Sequence, residues 1–212
     1  MTRLSLLFTA VFTVVSIFSF GQSKDQKASA LLDQVSVKAK SHKSIKVDFS
    51  YSMVNPKARI KEEKSGTLLV SGDRYRMSVA GQTVISDGTT VWTYLKESNE
   101  VQINTLDNKD DAMTPSKLLT SYNANYKAKM IKANDAATES VELTPNNSKN
   151  FTKAILEIDK VKKQVKSFTL YDKGGNVFTY TIKNYVTDTP VTPADFVFDS
   201  KKFPGVEVID MR

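Results

Sequence analysis

The feature that most limits the possible folds of this chain is a long succession of short strand-like segments with no helices of crossover length between them. The clearest segment is SIKVDFSYSMV, where apolar residues from Ile45 to Met53 alternate with polar ones, as in a strand with one apolar face. Similar segments follow at intervals of about ten residues, separated by Gly, Asn and Asp. Parallel strands need long crossover connections, so the pattern predicts an antiparallel sheet.

About eleven strands are predicted in total. After the first strand they cover residues 64–72, 74–80, 82–87, 89–95, 99–105, 126–132, 139–145, 152–159, 164–172 and 176–186, with 194–199 as a last candidate. A sheet with this many strands must curl or close.

Two helices are predicted beside the strands. Residues 24–42 form the long one, because apolar residues recur at spacings of three and four: Ala28, Leu31, Leu32, Val35 and Ala39. Thr114-Pro115 opens a short one after the polar loop 106–113, with Thr as N-cap and Pro at the first helical position. These helices are available to cover an open mouth of the curled sheet.

The N-terminus predicts export from the cytoplasm. Basic Arg3 precedes the uncharged apolar stretch Leu4–Phe20, and small residues Ser19 and Gly21 stand at −3 and −1 of a cleavage before Gln22. We expect residues 1–21 to be a signal peptide and residues 22–212 to form one domain, located in the periplasm. An uncleaved N-terminal anchor is the alternative. The chain has no cysteine, so it offers no site for lipid attachment at the cleavage point and folds without disulfides.

Charge and polar chemistry argue against most other function classes. The net charge is +7, or +6 without Arg3, but the lysines are spread along the chain, and an exported protein meets little nucleic acid. The single histidine, His42, ends the first helix, where a solvated capping cation is favoured. Asp110-Asp111 in the polar loop is a weak cation candidate at best. We expect no enzyme activity, no cofactor and no metal.

The order of four motifs resembles the LolA family of periplasmic lipoprotein carriers. These are SGTLLVSGDRYRMSV, VISDGTTVWTYL, TPSKLL and FPGVEVID, at residues 65–79, 84–95, 114–119 and 203–210. The resemblance implies an incomplete β-barrel covered by a lid of α-helices. It also implies that an apolar cavity holds lipoprotein acyl chains, which arrive from an inner-membrane ABC exporter and leave to an outer-membrane acceptor. We expect a monomer.

The resemblance also implies roles for particular residues of this chain. Phe49, Tyr75, Trp92 and Tyr94 match aromatic positions of the family, and Leu118 and Leu119 match the apolar pair on its covering helix. With their neighbours they give the predicted acyl-chain cavity and lid: Phe49, Tyr51, Met53, Tyr75, Met77, Trp92, Tyr94, Ile103, Leu118 and Leu119. Many members carry an Arg-Pro before the third strand as a lid latch, but Ser71-Gly72-Asp73 stands here, and neither Arg74 nor Arg76 occupies the latch position.

Two questions stay open at the level of sequence. Trp92 and Tyr94 share one strand face, but Val91, Thr93 and Leu95 are also apolar enough to face the interior. The same architecture could bind another envelope lipid or a hydrophobic small molecule, or could serve as an interaction domain with a dry core.

The lid assignment predicts that Leu118→Glu abolishes lipoprotein loading and leaves the fold intact, because a buried carboxylate is costly in an apolar contact. Cargo capture by the purified variant, with circular dichroism as the fold control, is the measurement. Undiminished capture would count against a lid at this position.

Overall fold

A computed structural model describes residues 24–106, 126–147 and 150–212. The predicted signal peptide, the Asp110-Asp111 pair and the helix expected from Thr114-Pro115 lie outside these residues. Within the described part of the chain, no helix is long and apolar enough to cross a membrane.

The described residues form one α-helix, two short 3₁₀ helices, Pro193–Phe196 and Ser200–Lys202, and twelve strands. Helix α1 spans Lys24–Lys40. The strands are β1 (Ile45–Asn55), β2 (Ile60–Ser71), β3 (Arg74–Val79), β4 (Gln82–Ser86), β5 (Thr90–Leu95), β6 (Glu100–Thr105), β7 (Tyr126–Ile131), β8 (Thr138–Pro145), β9 (Phe151–Asp159), β10 (Val165–Asp172), β11 (Val177–Thr187) and β12 (Glu207–Asp210).

All twelve strands belong to one curled sheet that does not close into a barrel. Its order is β12-β6-β5-β4-β3-β2-β1-β11-β10-β9-β8-β7. The consecutive hairpins are antiparallel, and the long-range pairing of β1 with β11 joins the two halves. This architecture confirms the predicted mainly β fold with an incomplete barrel.

One prediction about the C-terminal tail is wrong. The candidate strand at 194–199 is replaced by the 3₁₀ helix Pro193–Phe196, because Pro193 cannot donate to a ladder and Asp195 accepts the amide and hydroxyl of Thr192 at 2.7 and 2.9 Å. The real last strand is β12, which pairs with β6 in parallel, the one such pair among the described strands.

Helix α1 covers the inner face of the sheet at β7 to β10. The predicted stripe is buried: Ala28, Leu31, Leu32 and Val35 are at most 4% exposed and pack on strands β8 to β10. Val141, Leu143 and Leu156 are their main partners, all at most 2% exposed. We call the face that carries α1 the inner face of the sheet and the opposite face the outer face.

A glycine in β2 makes room for the central aromatic of β1. Gly66 pairs with Phe49, whose ring lies across the position where a Cβ of residue 66 would stand. The Ser78 carbonyl oxygen is only 2.8 Å from the same position. Any larger residue would have to displace either the ring or the backbone of β3.

We expect Gly66→Ala to lower the free energy of unfolding by about 1–3 kcal/mol, as is usual for an overpacked core. Chemical denaturation of the mature protein measures it. Ser65→Ala is the matched control, because Ser65 is exposed in the same strand. An equally small effect of both substitutions would contradict the close packing of Phe49 on Gly66.

Candidate functional site

An apolar cavity of about 300 Å³ lies between the C-terminal half of α1 and the inner face of the sheet. Val35 and Ala39 of α1 form one wall. The rest of the lining comes from β1 to β3 and from β9 to β11, chiefly Ile45, Val47, Phe49, Leu68, Val70, Met77, Leu156, Val165, Phe168, Tyr180, Ile182 and Tyr185.

Tyr180 is the centre of an aromatic cluster in the cavity. Its ring lies 5.7 Å from that of Phe49, 5.2 Å from that of Tyr51 and 6.1 Å from that of Phe168, measured between centroids. Strand pairing produces this cluster, since Tyr180 stands opposite Tyr51 on β1 and opposite Phe168 on β10. Offset aromatic contacts at these distances stabilise the floor without filling the space above it.

The cavity is electrically neutral at physiological pH. Burial raises the pKa of Tyr180 to about 12, with a smaller contribution from Tyr51, and burial also raises the pKa of Tyr185. Lys163 is the one charged residue among the described lining residues, and its ammonium binds Glu139 at 2.7 Å. Nor do any three His, Asp or Glu side chains in the described ranges come together as metal ligands. The site suits an uncharged, apolar ligand.

Five of the predicted site residues lie on the inner face. Phe49 and Met77 line the cavity directly. Tyr51 packs beside Tyr180, and Met53 stands two pairs further along the same face, opposite Phe178. Tyr75 pairs with Val70 and is 3% exposed.

Three predicted residues lie on the outer face, away from the cavity: Trp92, Tyr94 and Ile103. Trp92 pairs with Ile85 and Ile103, whereas the inner positions of β5 are Val91, Thr93 and Leu95. Tyr94 packs under the C-terminal tail, with ring centroids 5.6 Å from Phe198 and 4.6 Å from Phe203. Side chains alternate between the two faces of a strand. An error of one residue in assigning the inner face therefore moves every predicted residue of that strand to the opposite face. Leu118 and Leu119 lie outside the described residues.

The two arginines near the family's latch position hold the C-terminal tail instead. The Arg76 guanidinium donates to the Asp195 carbonyl oxygen at 2.6 Å and to that of Val197 at 3.3 Å. Arg74 lies over the ring of fully buried Phe196, 5.0 Å from its centroid. Both arginines therefore act on the outer face, on the far side of the sheet from α1.

The end of α1 is fixed by a polar junction that the sequence did not predict. His42 Nδ1 lies 3.0 Å from Asp188 Oδ2, and the Lys43 amide donates to Asp188 Oδ1 at 2.8 Å. These two contacts lower the pKa of Asp188. The Asp188 amide donates in turn to the Ser44 carbonyl oxygen. The expected solvated cap is wrong, because the His42 side chain is only 16% exposed and ties the helix end to the end of β11.

Several lining residues were missed, chiefly Leu68, Val70, Phe168, Tyr180, Ile182 and Tyr185. A signal for part of β11 exists in the sequence, because Phe178, Tyr180 and Ile182 alternate with polar residues. Tyr185 breaks that alternation. An irregularity opposite Asp48 and Phe49 inserts one residue into β11 and returns Tyr185 to the inner face.

Fold and site together define a module of the binding type, with an unclosed antiparallel sheet and an apolar cavity beneath a helix. The model of the family described as outer membrane lipoprotein carrier protein LolA matches residues 40–199. The chain belongs to the LolA family. The family and the fold are those of binding and carrier proteins.

Comparison with a solved structure agrees on the fold, and a second similar structure has a lower score. An uncharacterized conserved protein from Thermus thermophilus is 14% identical, with a TM-score of 0.56 over 87% of this chain and 99% of that one. A LolA superfamily protein from Nitrosomonas europaea is 11% identical, with a TM-score of 0.46 over 81% of this chain and 97% of that one. The comparison with curated proteins gives no match.

The buried neutral Tyr180 predicts a loss of stability at alkaline pH. Its pKa is 10.0 when exposed and about 12 in the folded protein, so its stabilising effect is complete below pH 10 and is lost as the pH rises through 12. The loss should be on the order of 2 kcal/mol. Denaturant unfolding between these pH values measures it. Tyr180→Phe should show a smaller loss than the wild type, and an equal loss would contradict the assignment.

Proposed function

We propose that this protein is a periplasmic carrier that binds the acyl chains of lipoproteins in the cavity under α1. It would receive them from an inner-membrane ABC exporter and pass them to an outer-membrane acceptor. The observation that carries the proposal is a neutral apolar cavity of about 300 Å³, in a chain whose family is described as lipoprotein carriers.

The cavity is unlike an ordinary protein core. Cores are packed at close to crystal density, and apolar voids left by truncation destabilise proteins by about 24 cal/mol per Å³. If it were sealed and dry, a void of this size would cost on the order of 7 kcal/mol by that coefficient. The lining could be filled simply by larger side chains at Val47, Val70 or Val165. A costly cavity that the side chains leave unfilled favours a ligand-binding role over a purely structural one.

The size of the cavity also bears on how cargo would be held. A volume near 300 Å³ is at the lower end for small-molecule sites, which span about 300–1,000 Å³. Three long acyl chains need more space, so loading them requires α1 to move away from the sheet. Val35 and Ala39 would then exchange their contacts with the lining for contacts with cargo.

This exchange keeps binding reversible. Burial of a methylene group is worth about 0.8 kcal/mol, so three long chains would gain on the order of 30 kcal/mol, above the roughly 20 kcal/mol at which affinities saturate. Breaking the helix contacts offsets part of this gain. The protein would therefore release its cargo to an acceptor with a more favourable apolar site.

The setting of the proposal is the cell envelope. The predicted signal peptide at 1–21 would export the chain, and the family supports a periplasmic location. We propose that the mature protein acts as a monomer without a cofactor, since the exporter would supply the energy for loading.

A tryptophan in the cavity should block binding. Leu68 lines the cavity, whereas its neighbour Leu69 stands on the outer face opposite Arg76, and both leucines are half-buried. We expect Leu68→Trp to weaken binding of a triacylated lipopeptide at least tenfold, because the indole would occupy the ligand volume. Leu69→Trp is the matched control and should bind like the wild type. Titration with a fluorescent lipopeptide measures both.

Three results would overturn the proposal. Equal weakening by both tryptophans would show that the cavity is not the binding site. Native mass spectrometry of the wild type from envelope extracts should reveal bound triacylated polypeptide. Free lipid alone would favour the alternative, a LolA-like module for another envelope lipid, and no bound material would favour a dry interaction domain.

A further inference from the structure

We propose that the β9–β10 hairpin is a docking element for an anionic lipid bilayer. Its tip consists of three consecutive exposed residues, Lys160, Val161 and Lys162. Docking would bring the cavity next to the membrane. The relevance to cargo rests on the proposed function, but membrane binding itself does not.

The backbone of the hairpin is held by its own turn. Asp159 Oδ1 accepts the amides of Val161 and Lys162 at 2.9 and 2.8 Å, and the Lys163 amide donates to the Asp159 carbonyl oxygen at 2.9 Å. The Lys160 amide donates to the Ala137 carbonyl oxygen in the neighbouring turn. These bonds use the side chain of Asp159 and make no use of the side chain of Val161.

Val161 is 87% exposed, more than any other large hydrophobic residue in the described ranges. A single exposed valine is common on a protein surface. Here it stands at the tip of a fixed turn, where no fold requirement calls for an apolar side chain. Asn, Asp or Gly would suit the turn equally well.

The charges around the tip leave it positive. Lys163 forms a salt bridge with Glu139 at 2.7 Å, and Lys166 forms one with Asp135 at 3.4 Å. These lysines balance the negative charges of the two acids at the base of the hairpin. Neither Lys160 nor Lys162 forms a salt bridge with a described residue. The nearby Asp159 carboxylate stays ionised, because the turn amides lower its pKa, so the tip carries the two positive charges of Lys160 and Lys162 against this one negative charge.

The tip is also next to the cavity. The residues that follow it, Lys163, Gln164 and Val165, line the cavity together with the last turns of α1. Exposed Lys38 and Lys40 on that part of the helix add positive charge. The β1–β2 hairpin carries a comparable set of residues but lies at the opposite end of the strands, where Asn55 bonds Asn176 at 2.7 Å.

A bilayer fits this surface better than a protein partner does. A stable protein interface buries about 800 Å² on each side, far more than three residues present. Lipid headgroups accept two ammonium groups, and the layer beneath them accepts one apolar side chain. Such contacts are individually weak, so docking would be reversible, as a shuttling carrier requires.

The test is co-flotation of the mature protein with vesicles of phosphatidylcholine, with and without phosphatidylglycerol. We expect the wild type to bind only the anionic vesicles. Val161→Ser should weaken binding about tenfold. Lys160→Gln combined with Lys162→Gln should weaken it about 25-fold, at about fivefold per lysine. The matched controls are Ile60→Ser and Lys57→Gln with Lys61→Gln on the β1–β2 hairpin, which should bind like the wild type.

Each outcome decides the proposal. No wild-type binding to anionic vesicles, equal binding to neutral ones, or equal losses in the control variants would overturn it. The lipopeptide titration keeps the two proposals distinguishable. The tip variants should retain cavity binding, and Leu68→Trp should retain vesicle binding.

Discussion

The structure depends above all on the pairing of β1 with β11. These strands are far apart in the sequence, yet their ladder joins the two halves of the sheet, and both strands line the cavity. Opposite Tyr51 it places Tyr180, which makes the aromatic floor. Just beyond the ladder, Asp188 binds His42 and the Lys43 amide, which fixes the end of α1. A long-range contact of this kind costs loop entropy that only good packing can offset. The packed row of Phe49, Tyr51 and Tyr180 provides that compensation.

The two faces of the sheet serve different purposes. The outer face of β3 to β6 is covered by the C-terminal tail, through buried Phe196, the aromatic contacts of Tyr94 and the hydrogen bonds of Arg76. Among the described residues, the inner face is packed against α1 at β8 to β10 and carries a second core cluster around Ile45, Val47 and Phe49. Beneath the end of α1 it leaves the cavity. The C-terminal tail therefore covers part of the outer face, whereas the inner face leaves a cavity with room for a ligand.

Much of the fold could be predicted from sequence, because strand alternation and turn residues are local signals. The helix stripe and the boundaries of most strands were correct to within one or two residues. Which face of β5 looks inward could not be predicted, since Val91, Thr93 and Leu95 are almost as apolar as Trp92 and Tyr94. That choice is made by the register with β4, and ultimately by the Phe49–Gly66 contact that fixes the register of β1 and β2. The Asp188–His42 junction was equally hidden, because it joins residues that only the β1–β11 ladder brings together.

The latch arginine that the resemblance leads one to expect is absent, and the arginines nearest to its position bind on the outer face, away from α1. Arg76 is a long cation that needs carbonyl acceptors, and on the outer face it finds those of Asp195 and Val197. Helix α1 instead has its end fixed by the pair of Asp188 with the mostly buried His42, while its stripe from Ala28 to Val35 makes apolar contacts with β8 to β10. Apolar contacts are non-directional and are exchanged readily for contacts with another apolar surface. Under the proposed function, a hydrocarbon chain would replace α1 at these contacts, and no strand-to-strand hydrogen bond would have to break. The ladder and the tail on the outer face would keep the sheet intact while the inner side changes occupant.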